Sequence, residues 1–207
     1  MALVQLREPS DFGAALEKRW DETDPVSGDF IAANTPVSGV PGLYALDGRV
    51  RVVVNEGGLP VVLRRDCAVG DFNCNFWSGD AILVAPDLSP RLDFADAPIR
   101  LRFSSGVKAV GGWLSANGPD PFDAGFNGQL LQGAMWVALA ASPTIWHLVR
   151  AEGVTGTVLQ SGVPVTAPFL GLRATDADRI IEVRFDVALA GGARCDKVAL
   201  SELTVEV

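Results

Sequence analysis

The sequence predicts an all-β fold, an antiparallel β-sandwich or jelly roll with a short N-terminal helix, on three observations. First, residues 181–189 alternate: Ile181, Val183, Phe185, Val187 and Leu189 are apolar, and Glu182, Arg184 and Asp186 between them are charged. A period of two is the mark of a strand with one buried face. Second, 22 glycines and 13 prolines punctuate 207 residues into short segments joined by turns. Third, 48% of the residues are hydrophobic, yet no apolar run nears the roughly 20 residues that cross a bilayer as a helix. That hydrophobicity belongs to a core, and the length suits one sandwich domain over residues 1–207.

Residues 10–20 read as the helix. Ser10 can cap it, and Phe12, Ala15, Leu16 and Trp20 recur at helical spacing. Asp24-Pro25 stops it. Ser27-Gly28, Ser38-Gly39, Pro41-Gly42 and Asp47-Gly48 are turn signals, with short strands between them at 29–33 and 42–45. Val50, Val52 and Val54 point inward from the next strand, which Gly57-Gly58 turns into a hairpin partner at 59–65. Residues 81–85 read as a fully buried strand and 99–103 as an alternating one. In the strand at 107–115, Gly111-Gly112 marks a bulge or a close backbone approach. A loop rich in Asp, Gly, Pro and Asn spans 117–128. Strands follow at 134–141 and 145–151, then at 156–160 and 169–174. In the closing segment Val198 and Leu200 point one way, and Leu203, Val205 and Val207 resume out of phase. A one-residue slip at Ser201-Glu202, a β-bulge, returns both sets to one face. This last strand is expected inside a sheet, beside the N-terminal strands.

The net charge of −8 and only three lysines (Lys18, Lys108, Lys197) argue against nucleic acid, whose phosphates need clustered cations. Arg49, Arg51, Arg100, Arg102 and Arg184 read as single charges on solvated sheet faces. The opening Met1-Ala2-Leu3-Val4-Gln5-Leu6-Arg7 lacks the basic start and apolar stretch of a secretory signal. Cys67 and Cys74 are spaced for a disulfide in an oxidising compartment, and Cys195 reads as a buried small residue. Zinc is disfavoured, because the one histidine, His147, is remote from both.

Reaction chemistry is hard to find. His147 shares a strand face with Ile145 and Val149, and no Gly-x-Ser-x-Gly or phosphate-binding loop accompanies it, so it reads as structural. Asp120 with Asp123, and Asp176 with Asp178, are carboxylate pairs of the kind that hydrolyse glycosides. Both pairs sit in turn-forming sequence, where Asp is expected anyway. Trp77 follows Phe76 beside the cysteine loop, and Trp113 ends a strand before the 117–128 loop. An exposed indole beside carboxylates is a platform for a sugar ring; the bland alternative is a core tryptophan. Trp77, Trp113, Asp120 and Asp123 are therefore the candidate ligand-binding residues.

Three blocks carry a family likeness. Gly79-Asp80-Ala81-Ile82-Leu83-Val84 leads to Ile99-Arg100-Leu101-Arg102-Phe103 and Val107-Lys108-Ala109-Val110-Gly111-Gly112-Trp113. Ala167-Pro168-Phe169-Leu170-Gly171-Leu172 leads to the strand through Phe185, and Cys195-Asp196-Lys197-Val198-Ala199-Leu200 closes the chain. In this order they resemble β-sandwich domains of bacterial exported proteins, many of which carry a PEP-CTERM sorting tail. The resemblance implies a jelly roll, an extracellular or cell-surface location and a binding role such as carbohydrate recognition. In jelly-roll carbohydrate-binding modules a structural calcium ties the first strands to the last; the matching positions here are Asp29 and Asp196. The same two aspartates also read as solvated turn residues. The expectation is a non-catalytic binding module with a glycan as first partner, then an architectural or self-assembling domain, then a glycoside hydrolase.

Overall fold

A computed structural model describes residues 3–23, 29–86, 91–117, 128–192 and 195–207, without the side chains of Asn73 and Cys74. Two antiparallel sheets pack face to face. The larger runs in the order β1 (Leu3–Leu6), β14 (Phe169–Ala174), β9 (Ala109–Asn117), β16 (Lys197–Glu206), β7 (Ala81–Pro86), β6 (Leu63–Asp66) and β3 (Thr35–Pro36), and β2 (Leu16–Lys18) also pairs with β16. The smaller runs β11 (Ser142–Val154), β10 (Leu130–Leu139), β15 (Ile180–Leu189), β8 (Ile99–Val107), β5 (Val50–Val54) and β4 (Tyr44–Leu46). A separate hairpin joins β12 (Val158–Gln160) to β13 (Val163–Val165).

The pairings nest. β10 pairs with β11, β9 with β14, β8 with β15 and β7 with β16, all antiparallel. That is one long hairpin rolled over itself, so along its arms, β7 to β10 and β14 to β16, successive strands fall in alternate sheets and close through β9–β16 and β10–β15. This is the jelly roll. The roll buries the alternating residues of both sheets: Ile99, Leu101, Val137, Val183 and Phe185 face Val110, Leu114, Leu170, Val198 and Leu200 in one cluster.

The bulge falls where the alternation slips. The β16 register shifts between Leu200 and Leu203, and both leucines are fully buried. The glycine pair in β9 serves close approach. A Cβ on Gly111 would lie 2.8 Å from the Phe169 ring and 2.9 Å from the Leu170 carbonyl.

Three expectations need correction. Residues 10–20 are not a helix: a 3₁₀ turn at Pro9–Asp11 is followed directly by β2. Asp11 Oδ2 accepts the N–H groups of Arg7 and Glu8, closing a single turn. β16 then outcompetes the weak helical spacing. β7 covers one edge of β16 only at 197–200, and β2 fills the remainder at 203–205. An open ladder of N–H and C=O groups rewards a strand there more than propensity rewards a helix. Nor do residues 59–65 turn back on β5. β5 pairs with β4 and β8, while β6 crosses to the other sheet and pairs with β7 and β3. Asn55 fixes the departure: its Nδ2 donates to the carbonyls of Pro60 (2.8 Å) and Pro98 (2.9 Å), and its Oδ1 accepts from Arg100 N–H. The strand expected at 29–33 is reduced to a bridge between Glu22 and Phe30. Among the described residues, no helix is long and apolar enough to cross a membrane.

Candidate functional site

The segment between β6 and β7 is a loop whose ends meet. Cys67 N–H donates to the Asp80 carbonyl (2.8 Å) and Gly79 N–H to the Cys67 carbonyl (2.9 Å). Phe72 and Phe76 turn inward, edge to face at 5.8 Å, and bury against Ile82, Val84 and Ala199 on the outer face of the larger sheet. Two asparagines fasten the loop. Asn117 Oδ1 accepts Phe72 N–H at 2.7 Å. Asn75 Nδ2 donates to Gly156 O, Thr166 Oγ1 and Val154 O, and its Oδ1 accepts from Ser115 Oγ and Gly156 N. The next residue but one, Trp77, is 84% exposed, with its N–H on Asp80 Oδ2 at 2.8 Å.

Trp77 forms one wall of an open cleft of about 870 Å³. Glu17 and Arg19 from the β2 segment line it, as do Trp113 from the middle of β9, not the strand end its sequence suggested, and Ser201 and Glu202 from the β16 bulge, with Thr157 and Thr166 at the base of the β12–β13 hairpin. Trp113 is half-buried, edge-on to Phe169 at 5.1 Å, and donates its N–H to Ser201 Oγ at 3.0 Å. The bulge holds Leu203 in the core while aiming Glu202 into the cleft, a known use of bulges beside sites.

The cleft is acidic. Glu17, Asp80 and Glu202 stand against Arg19, whose guanidinium is held charged chiefly by its 2.9 Å bond to Asp21. Partial burial, then the carboxylates of Glu17 and Asp80, push the Glu202 carboxyl above its ordinary range; Arg19 opposes them.

Of the residues expected from sequence, Trp77 and Trp113 come together on this cleft. Asp120 and Asp123 lie outside the described residues. Asp29 and Asp196 are exposed and apart. Phe30 stacks on Arg64 at 5.9 Å, and the register runs Arg64–Leu83–Leu200, two strands across and four residues along from Asp196. Asp196 pairs with Lys197 at 3.2 Å. Among the described residues, no three Asp, Glu, His or Cys side chains gather as a metal site. Asp178 plays the turn role its sequence suggested, accepting the N–H groups of Ala141 and Arg179. His147 sits opposite Val137 on edge strand β11, its Nε2 buried without a hydrogen-bond partner among the described residues. The Cys67–Cys74 pairing falls on a side chain outside the description.

No family model, curated protein or solved structure matches this chain. What the cleft can hold follows from its chemistry. An exposed indole takes the apolar face of a ring, and carboxylates, a guanidinium and hydroxyls take hydroxyl groups. Sequence reasoning missed Glu17, Asp80 and Glu202. A charge at a bulge marked Glu202, and the Trp77-Ser78-Gly79-Asp80 turn marked Asp80; Glu17 carried no signal, since only its pairing with β16 brings it to the cleft.

Proposed function

We propose that this protein is a non-catalytic glycan-binding module of an exported or cell-surface protein, with the cleft between the 67–80 loop and β2 as its sugar site. The observation that carries the reading is Trp77. A large apolar ring stays 84% exposed on a loop otherwise pinned by two buried phenylalanines and Asn75. An anchored loop that spends its largest side chain on solvent is shaped for a ligand. The facing carboxylates suit neutral sugar hydroxyls and disfavour acidic glycans.

The test is a glycan array followed by calorimetry on the hits. Trp77→Ala is expected to abolish binding while leaving unfolding stability within about 0.5 kcal/mol, the usual effect of a surface change. Absence of any hit, with a larger species in size-exclusion chromatography, would favour a self-assembling role instead; Leu159 (75%) and Val163 (61%) stand exposed on the β12–β13 hairpin. Glu202 shares the cleft with Glu17 and Asp80, and this set of carboxylates, with Glu202 raised above its ordinary range, favours glycoside hydrolysis as a second reading, since that reaction uses a pair of carboxyl groups with one of them protonated. Turnover on a glycoside panel that disappears in Glu202→Gln would establish that reading over the first.

A further inference from the structure

The outer face of the smaller sheet carries a second constellation, on the opposite side of the molecule's core from the acidic cleft. Arg100 and Arg102 on β8 and Glu182 and Arg184 on β15 alternate with buried Leu101, Val183 and Phe185. The register sets Arg102 opposite Glu182 but Arg184 directly opposite Arg100. Like charges in that position destabilise a sheet unless something neutralises them. Arg102 pairs with Glu56, and Arg184 Nε with Glu182 Oε1 at 3.1 Å. Arg100 has no carboxylate at ion-pair distance among the described residues; its Nε donates to the Ala97 carbonyl (3.0 Å) and its Nη2 to that of Ala95. Burial, and then Arg184, lower its pKa, with Glu182 and Asp96 acting weakly against them.

Arg184 is held in place before any ligand arrives. Its guanidinium lies 4.2 Å from the Phe94 ring centre and 4.6 Å from that of Trp146, and its Nη1 donates to the Phe94 carbonyl. Neither Arg100 Nη1 nor Arg184 Nη2 has a protein acceptor among the described residues. All three arginines line a hollow of about 190 Å³ with Glu56 and Glu182, roomy enough for a tetrahedral ion. Three guanidinium groups against two carboxylates make it locally positive on a chain of net charge −8.

We propose that this hollow is an oxyanion site, taking a sulfate or phosphate group between the edges of Arg100 and Arg184 with Arg102 at the rim. A guanidinium edge matches two oxygens of such a group, and stacking spares Arg184 the entropy of being ordered on binding. The site is independent of the glycan reading of the cleft.

The test is thermal unfolding with inorganic sulfate titrated against chloride at constant ionic strength. A saturable rise in Tm is expected for the unaltered chain. Arg100→Gln is expected to abolish the saturable part; losing its bonds to the Ala97 and Ala95 carbonyls and removing a like-charge neighbour act in opposite directions, so the sulfate-free Tm is expected to shift little. Glu182→Gln removes a competing carboxylate and is expected to bind sulfate several-fold more tightly. Sulfate also stabilises proteins by exclusion from their surfaces, which gives a rise without saturation. Such a rise, equal in all three proteins, would overturn the proposal, and so would no rise. Arg102→Gln, at the exposed rim, provides a second reading with an expected partial loss. A sulfated monosaccharide that binds at least tenfold more tightly than free sulfate would identify a sugar-borne group; equal affinity would identify the free ion.

Discussion

Asn75→Ala tests whether the cleft is held together as described. Three acceptors, Gly156 O (2.8 Å), Thr166 Oγ1 (3.0 Å) and Val154 O (3.2 Å), share the two hydrogens of the Asn75 amide. Its Oδ1 accepts from Ser115 Oγ (2.7 Å) and Gly156 N (2.9 Å). That amounts to four full hydrogen bonds. At a net of about 1 kcal/mol each, their loss would cost about 4 kcal/mol; water reaching a part-buried site lowers this to about 3 kcal/mol. Ser115 is fully buried, so its hydroxyl is stranded by the change. Urea denaturation measures it: with m near 2 kcal/mol/M, the midpoint falls by about 1.5 M at unchanged m. The same variant is expected to weaken glycan binding although Trp77 is intact, because the Asn75 end of the loop is no longer tied to Ser115 and the hairpin, and only the Asn117–Phe72 bond still holds it to β9. A loss below about 1 kcal/mol would refute the reasoning, since it would mean that water serves these groups as well as Asn75 does.

Three further outcomes follow from the same structure. Gly153→Ala puts a Cβ 2.4 Å from the Thr166 carbonyl and 2.6 Å from Pro168 N, both backbone; overpacking of about 3 kcal/mol, read as a Tm drop of about 6–12 °C, is expected. Arg173, with Gly13 N–H, holds the Glu206 carboxyl below its ordinary range. That stabilisation is present above the ordinary value of 4.5 and is lost as pH falls through the lowered one, so the advantage over Glu206→Gln in denaturation experiments should shrink on acidification. Glu202 has the opposite sign: its raised carboxyl contributes stability below 4.5 that is lost as pH rises through the higher value. Glu202→Gln should therefore gain on the unaltered protein between pH 4 and neutrality, and a constant difference would show that the cleft does not perturb Glu202.

The fold was legible because burial in a sandwich writes a period of two directly into the chain. Ile99, Leu101 and Phe103, or Val183, Phe185 and Val187, alternate on the page as they do across the sheet. Even the bulge in β16 shows as a phase slip at Ser201-Glu202. Pairing partners are not written in that way. Gly57 and Gly58 do adopt the positive φ their turn suggested. Whether the chain then returns along β5 or crosses to β7 depends on Asn55 bonding carbonyls at 60 and 98, a contact between residues distant in sequence.

The helix and the cleft were misread for one reason. Phe12 and Trp20 are buried as a helical stripe would have them, and a spacing of eight fits a strand and two helical turns alike. What decides is the edge of β16 left open where β7 ends. Once β2 fills that edge, Lys18 sits opposite Leu203 and turns inward, 5.1 Å from the Tyr44 ring, and Glu17 and Arg19 must point outward. They then line the same cleft as Glu202, one residue before Leu203. Trp77 could be named from sequence because an aromatic beside a turn stands out by itself; Trp113 was named for a strand end, although it sits in the middle of β9. The carboxylates that face them come from positions 17, 80 and 202, and only the β2–β16 and β7–β16 ladders make these neighbours. A chain in which residues 16–18 stayed off that edge would lose the Glu17 and Arg19 wall of the cleft.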